Sequence, residues 1–435
     1  MEKIHKLVNQ LIANYYLLKL KKDQWKNPKE LKRIQLKKLK VVIKHAYNHV
    51  PYYHNAFSSV GIKPDDIKSF EDFTKIPLVS KQDIQKNYRN FVTKGINVSK
   101  LPSRNTSGST GTPLKIISDP YPSPGASRYP FFECGVKLCD KFVTIWGRAT
   151  SISWGSKYTR LWGDISETII PLLTEEKLIS LLRQIKPDVL LTFPSVLLSL
   201  SSRDLSGINP RQIFTQGEMV TPYCRDVVKR KFGVDLFEIY GSVEFGNMAF
   251  ECTEHFALHI ITDNVYIELL DEKGEPVAPG EHGEIVVTGL HNYVMPLIRY
   301  RIGDLGVLTD DRCPCGRSWP LLKSIEGRSN DLLVLPSGRR ISWLYLQRCI
   351  FYDQEFQKNL FCISQYQIVQ ERRDRIVINV VKGLNFDPNL LLRIKNKIEE
   401  FFARQGEKLE VIIQLVKDIP MERTGKRRVF ISKVV

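Results

Sequence analysis

The chain has 435 residues, too many for one small core, and its hydrophobic and charged fractions of 43% and 26% are those of an ordinary globular protein. Its formal net charge of +17 is lopsided: residues 1–50 hold 13 Lys/Arg against 3 Asp/Glu, so ten of the surplus charges lie there. Eight scattered cysteines do not form a dense disulfide scaffold, residues 1–22 do not read as a secretory leader, and no apolar run reaches a membrane span, so a reducing cytoplasm is expected.

At the N-terminus, Ile4, Leu7, Val8, Leu11, Ile12 and Tyr15 recur at helical spacing ahead of Lys19, Lys21 and Lys22, which predicts a basic amphipathic helix. The favoured expectation is that this stripe packs on the body of the protein. Peripheral contact of residues 1–22 with anionic lipid or an acidic partner is the alternative. Nucleic-acid binding is not expected, because the basic charge sits at one end without a module that reads bases.

Residues 23–100 read as helices and turns, punctuated by Pro51, Pro77, Asp65-Asp66 and Ser80-Lys81-Gln82-Asp83. From 170 onward strand and helix alternate: helix 175–185, strand 189–193, a strand ending at Thr215-Gln216-Gly217-Glu218, helix 223–231 and strand 235–239. Residues 265–270 and 284–288 alternate as strands around the turn Asp271-Glu272-Lys273-Gly274. The expected fold class is therefore α/β with mixed sheets. After about 330 the pattern restarts with a short helix near 343–352, strands at 361–370 and 375–382, a helix at 388–404 and a strand at 409–416. A separate α+β domain of about a hundred residues is expected there.

The run Thr106-Ser107-Gly108-Ser109-Thr110-Gly111 combines hydroxyls, backbone N–H groups and glycines that permit tight turns, a composition suited to gripping phosphates and equally common in solvated loops. Further segments follow it in order: Glu238-Ile239-Tyr240-Gly241-Ser242-Val243-Glu244, Pro296-Leu297-Ile298-Arg299-Tyr300-Arg301-Ile302-Gly303-Asp304, Ile325-Glu326-Gly327-Arg328-Ser329-Asn330-Asp331, and Arg423-Thr424-Gly425-Lys426. Together they resemble the signature of the adenylate-forming (ANL) enzymes. The nearer resemblance is to the phenylacetate-coenzyme A ligase family, including relatives of capsular polysaccharide biosynthesis; residues 45–83 resemble that subgroup's N-terminal region.

The resemblance implies a basic helical segment 1–44, a large adenylate-binding α/β domain 45–330, a hinge near Asp331 and a small α+β lid 331–435 carrying Lys426. It implies that Thr106, Ser107, Gly108, Ser109, Thr110 and Gly111 hold the β and γ phosphates of ATP, and that Glu244 helps to hold Mg²⁺, for which a carboxylate is a suitable hard ligand. Tyr240 would lie against adenine, with Gly241, Ser242, Gly217 and Glu218 among the nucleotide-binding residues. Asp304 would accept from the ribose hydroxyls, Arg328 would support ribose and phosphate, and Lys426 would bridge carboxylate and α-phosphate. The implied reaction joins a small carboxylic acid to AMP and passes the acyl group to a thiol, with coenzyme A the expected acceptor. An amino sugar or a separate carrier is an alternative acceptor, and a noncatalytic nucleotide-binding or basic interaction protein is the alternative class. The position after Gly111 is commonly Lys in the family and is Thr112 here, which removes one phosphate contact; Lys115 is the nearest replacement.

A second constellation consists of Cys252, His259, Cys313 and Cys315, with His255 nearby. Three thiols and an imidazole suit tetrahedral Zn²⁺, and four protein ligands leave no open position for catalysis; buried, unmetallated thiols are the alternative, and the resemblance favours a structural zinc. The family carries a comparable pattern, matched by Leu258-His259-Ile260 and Cys313-Pro314-Cys315-Gly316-Arg317.

Overall fold

Two long helices open the chain, α1 (Glu2–Asp23) and α2 (Pro28–His49), and in this computed structural model they lie on opposite sides of a tight turn at 24–27. The structure describes all residues except Met1, 107–112, Pro122, Ser127, Leu138, 147–152, 161–162, 171–172, 329–331, 344–345, 347–361, 384–385, 421–426 and Val435. The α2 start is fixed locally, since the Asn27 side chain accepts from the Glu30 N–H and Pro28 occupies the first turn. Leu31, Gln35, Leu39, Val42, Ile43 and Ala46 then bury one stripe of the helix.

The expectation for α1 is corrected. Of the predicted stripe, Val8 and Ile12 are half-buried, Leu11 and Tyr15 are 51% and 58% exposed, and the side chains of Ile4 and Leu7 lie outside the described residues; Leu18, on the side of Leu11 and Tyr15, is 54% exposed. The inward face carries Leu20 together with charged and polar groups. Lys19 donates to Asp23 and Asp263, Lys38 of α2 donates to the same Asp263 carboxylate, and Tyr16 lies 3.2 Å from Nδ1 of His291. A buried carboxylate needs paired cations, so Asp263 decides which side of α1 faces the protein.

The chain divides into two units, residues 1–136, 159–162 and 239–325 in one, and 137–158, 163–238 and 326–435 in the other. The first unit carries an antiparallel run in the order Val265–Leu270, His282–Gly289, Tyr300–Thr309, Leu321–Arg328, Leu258–Ile260, Gly246–Glu251. Tyr53, Phe57, Phe73 and Phe91, from the helical residues 51–91, pack on this sheet with Val265, Ile285, Val287, Ile298 and Tyr300. Several of these strands are buried over consecutive residues, Ile267–Leu270, Ile285–Thr288, Met248–Glu251 and Leu258–Ile260 among them, so they do not show the inward–outward alternation of a half-solvated sheet.

The second unit contains parallel strands Gly163–Ile170, Lys141–Ile145, Val189–Thr192 and Gln212–Gln216 in that spatial order, with helices Glu175–Ile185, Pro194–Ser201 and Pro222–Phe232 between strands in sequence. A separate sheet in the order Glu410–Leu415, Arg375–Lys382, Ile363–Arg372, Phe430–Ser432 is covered by helix Pro388–Ala403, whose Leu390, Ile394, Ile398 and Phe402 are buried at spacings of one helical turn. Tyr223 and Val227 share a core with Leu333, Ile363 and Phe402, and the Tyr223 hydroxyl donates to the Ile363 carbonyl at 2.9 Å. The α/β class with mixed sheets and a C-terminal α+β sheet is therefore observed, and the expected strands and helices of 175–289 and 363–415 form with ends moved by a few residues. The expected helix near 343–352 and the hinge at Asp331 fall largely outside the described residues.

Candidate active site and metal centre

The Ser/Thr/Gly run falls in sequence between two paired strands that periodicity did not reveal, because each is only three residues long. Ser103–Asn105 pairs antiparallel with Lys115–Ile117, placing Asn105 opposite Lys115. Thr106 closes the base: its N–H donates to the Leu114 carbonyl and its Oγ1 accepts from the Leu114 N–H, each at 2.9 Å. Ser107, Gly108, Ser109, Thr110, Gly111 and Thr112 lie outside the described residues. Lys115 is exposed on the returning strand.

Tyr240, Gly241 and Ser242 end the strand Leu236–Ser242, and Glu244 sits in the turn that follows. This turn is held tightly. Asn264 Nδ2 donates to the carbonyls of Phe245 and Asn247 at 2.9 and 3.0 Å, and Ser242 Oγ accepts from the Phe245 N–H. Gly246 has φ of 67°, and a Cβ there would meet the Gly125 carbonyl oxygen at 2.8 Å, so only glycine fits.

The structure brings Tyr240 and Asp304 together. The Tyr240 hydroxyl donates to Asp304 Oδ2 at 2.7 Å, a short bond of the kind a carboxylate accepts. Tyr300, on the same strand as Asp304, reaches Glu244 Oε1 with its hydroxyl at 3.4 Å. Two phenol–carboxylate pairs, Tyr240 with Asp304 and Tyr300 with Glu244, thus form in the first unit.

Sequence reasoning quoted Arg299 without assigning it a role. It is 3% exposed with φ of 48°, a left-handed conformation unusual for a side chain this large. Its Nε donates to Glu268 Oε2 at 3.2 Å, and its Nη1 donates to the carbonyls of Thr74 and Ile76. Its own carbonyl accepts from the Val79 N–H at 2.9 Å. Arg299 therefore fixes where the strand Tyr300–Thr309 begins, five residues before Asp304. Burial pushes the Glu268 carboxyl up, and the Arg299 guanidinium opposes this.

In the second unit, Gly217 turns the chain with φ of 88° after strand Gln212–Gln216, and Glu218 follows. Its carboxylate accepts from the Ser195 N–H at 2.9 Å and the Ser195 hydroxyl at 3.0 Å, at the start of helix Pro194–Ser201. It also accepts from the Arg427 N–H at 3.0 Å. Lys426, the residue joined to that N–H, lies outside the described residues. Arg328 is partly buried at the end of strand Leu321–Arg328.

Cys252, His259, Cys313 and Cys315 converge in the first unit, with all four ligand atoms within 4.8 Å of one another. Cys252 Sγ and Cys313 Sγ are 3.6 Å apart, and Cys315 Sγ lies 3.4 Å from His259 Nε2. Bonds of about 2.3 Å to sulfur and about 2.0 Å to nitrogen imply tetrahedral edges of roughly 3.5–3.8 Å, so the donor set fits a tetrahedral zinc ion. Burial pushes the His259 imidazole down to about 4, leaving it neutral with a lone pair to offer. His255 stands apart, paired with Glu251 at 3.1 Å.

Two strands and a knuckle build this cluster. Cys252 follows strand Gly246–Glu251, His259 lies on the paired strand Leu258–Ile260, and the Gly316 N–H donates to the Cys313 carbonyl at 3.0 Å. Arg317 ties the knuckle to the turn between α1 and α2. Its Nε donates to Gln24 Oε1 at 2.6 Å, its Nη2 meets Glu133 at 2.8 Å, and its guanidinium covers the Trp25 ring at 5.4 Å.

Comparison with known proteins bears on the family and the fold. The family described as CapK C-terminal domain matches residues 333–433. Phenylacetate-coenzyme A ligase of Aromatoleum evansii is 31% identical over 338 residues, covering 70% of this chain and 72% of the relative. Protein CapK of Staphylococcus aureus is 25% identical over 414 residues, covering 89% of this chain and 87% of the relative. Among solved structures, 2-hydroxyisobutyryl-CoA ligase in its postadenylation state has the same fold, with a TM-score of 0.73 at 19% identity over 94% of this chain and 90% of that one. The chain accordingly belongs to the phenylacetate-coenzyme A ligase family and is an AMP-forming ligase with the fold of the adenylate-forming enzymes.

Proposed function

We propose that this ligase activates a small carboxylic acid with ATP and Mg²⁺ to an acyl-adenylate and then transfers the acyl group to coenzyme A. The observation that carries this reading is the bond between Tyr240 and Asp304, which sets a carboxylate suited to ribose hydroxyls beside an aromatic ring suited to adenine. Glu244, held near Tyr300 in a rigid turn, is the proposed Mg²⁺ ligand. Residues 106–111 are the proposed grip on the β and γ phosphates, with Thr112 in place of the usual lysine. Gly217, Glu218, Gly241, Ser242 and Arg328 complete the proposed nucleotide set.

Lys426 is assigned to the reacting centre. Carboxylate and α-phosphate are both anions, and a cation between them stabilises the charge that develops as pyrophosphate leaves. Glu218 supports this assignment by holding the peptide that joins Lys426 to Arg427. The segment 331–435 is the proposed lid, whose movement withdraws Lys426 and admits the thiol. The four-ligand cluster is the proposed site of a structural zinc; when bound, the ion would tie strand, strand and knuckle together without entering the reaction.

A second reading of the acceptor, implied by the resemblance to relatives of capsular polysaccharide biosynthesis, is an amino sugar or a separate carrier in place of coenzyme A. Pyrophosphate exchange with pooled carboxylic acids tests the first half-reaction, which both readings share. Exchange should require one acid from the pool and vanish in Lys426→Ala; exchange that survives the substitution would remove Lys426 from its role. AMP release on adding coenzyme A then separates the acceptors.

A further inference from the structure

The orientation of α1 is opposite to what an amphipathic helix on a protein body usually adopts. At about 100° per residue, Leu11, Tyr15 and Leu18 fall within an arc of about 60°, and Lys22 falls in the same arc. All four are exposed, as is Trp25 just past the helix end. Tyr16, Lys19, Leu20 and Asp23 fall, with Ile12, in the arc of about 100° on one side of the stripe and are buried or half-buried, while buried Asn14 bounds the stripe on the other.

This arrangement cannot relax by rotation. Turning Leu11, Tyr15 and Leu18 inward would withdraw Lys19 from Asp263 and Tyr16 from His291, leaving Asp263, 3% exposed, with half of its lysine partners. The buried ion cluster thus holds an apolar face in water. A fold that stabilises such exposure has a use for the face.

Charge decides the occupant. Lys21, Lys22, Lys29, Lys32 and Arg33 are all exposed around the C-terminal half of α1 and the start of α2. Asp23, the acid in this half of α1, is buried and engaged by Lys19 and Lys26. A second copy packed antiparallel would set Lys22 opposite Val8 and offer the lysines no carboxylate. An anionic bilayer surface complements both features at once, since it accepts aliphatic side chains into its outer acyl region, aromatic rings at headgroup level and lysines at the phosphates.

We infer that α1 is a docking surface for anionic lipid, on which Leu11, Tyr15, Leu18 and Trp25 enter the interface while Lys21, Lys22, Lys29, Lys32 and Arg33 meet the headgroups. The helix lies in the plane of the surface; no helix among the described residues is long and apolar enough to cross a membrane. This inference goes beyond the proposed reaction and does not depend on it.

The test is co-sedimentation of the full chain with vesicles of phosphatidylcholine containing phosphatidylglycerol, in parallel with phosphatidylcholine alone. The chain should sediment with the anionic vesicles only, and added salt should release it. Leu11→Ser/Leu18→Ser and, separately, Lys21→Glu/Lys22→Glu should each weaken binding by roughly tenfold or more, with the circular dichroism spectrum and pyrophosphate exchange unchanged. Absence of sedimentation with anionic vesicles, or equal sedimentation of wild type and both variants, overturns the inference. A wild-type dimer that Leu11→Ser/Leu18→Ser converts to monomer by light scattering would assign the stripe to self-association and likewise overturn it. Because sedimentation is read without ATP or acid, failure here is distinct from failure of the proposed reaction.

Discussion

Tyr240, Arg299 and His291 carry the chemistry that can be tested one side chain at a time. Replacing Tyr240 by Phe keeps the ring and removes the donor to Asp304, so ATP should bind more weakly by about 1 kcal/mol, roughly fivefold in KM, with a smaller change in kcat; unchanged KM would detach this pair from the nucleotide. Arg299→Met leaves Glu268 as a buried carboxylate without its cation. Such breakage costs about 3–5 kcal/mol, and chemical denaturation should report a loss of that size. His291 is held mainly by burial, with Lys38 adding to it, at a pKa of about 4, below its ordinary value. A depressed folded-state pKa means that the unfolded chain binds the proton more readily. Stability from this group is present above about 6.5 and is lost as pH falls towards about 4. The acid limb of stability against pH should therefore be shallower in His291→Gln, by up to about 3 kcal/mol across that interval. An identical acid limb would show that His291 does not titrate with unfolding. In the sequence, Tyr240 and Asp304 were legible because they stand in ordered motifs, whereas His291 and Glu268 stand in none and act only through partners tens to hundreds of residues away.

At the scale of elements, short local signals set the helix starts. Asn27 caps α2, Thr221 caps Pro222–Phe232, and Asp387 caps Pro388–Ala403, each accepting from a backbone N–H in the first turn. These caps and the one-turn spacing of Leu390, Ile394, Ile398 and Phe402 made the C-terminal helix readable before any contact was known. The strand pair flanking the Ser/Thr/Gly run was not readable, since three-residue strands give no period to detect. The metal knuckle belongs at this scale too, because its four ligands come from two strands and a turn more than fifty residues apart in sequence. Elemental analysis should find about one zinc per chain. Stripping it with a chelator should lower the melting temperature and loosen the contact of Arg317 with Trp25, read as a change in tryptophan fluorescence. A zinc-free protein with the same melting temperature would leave the four residues as unmetallated thiols and imidazole.

For the whole molecule, sequence by itself determined the family, the α/β class, the identity of the residues proposed for nucleotide and metal, and most of the elements from 175 to 415. It did so because motif order, hydrophobic period and capping chemistry are local properties, written within a few residues of where they act. Tertiary structure alone decided which groups meet. It joined Tyr240 to Asp304 across sixty-four residues, gathered Cys252, His259, Cys313 and Cys315, and gave Glu218 the Arg427 N–H to hold. It also turned Leu11 and Tyr15 of the expected α1 stripe to solvent while leaving Val8 and Ile12 half-buried. The apolar period of residues 4–15 correctly predicted a helix, but period cannot state which face is inside. Asp263, some 240 residues away, made that choice, because a buried carboxylate keeps its lysines and the apolar stripe is left to water.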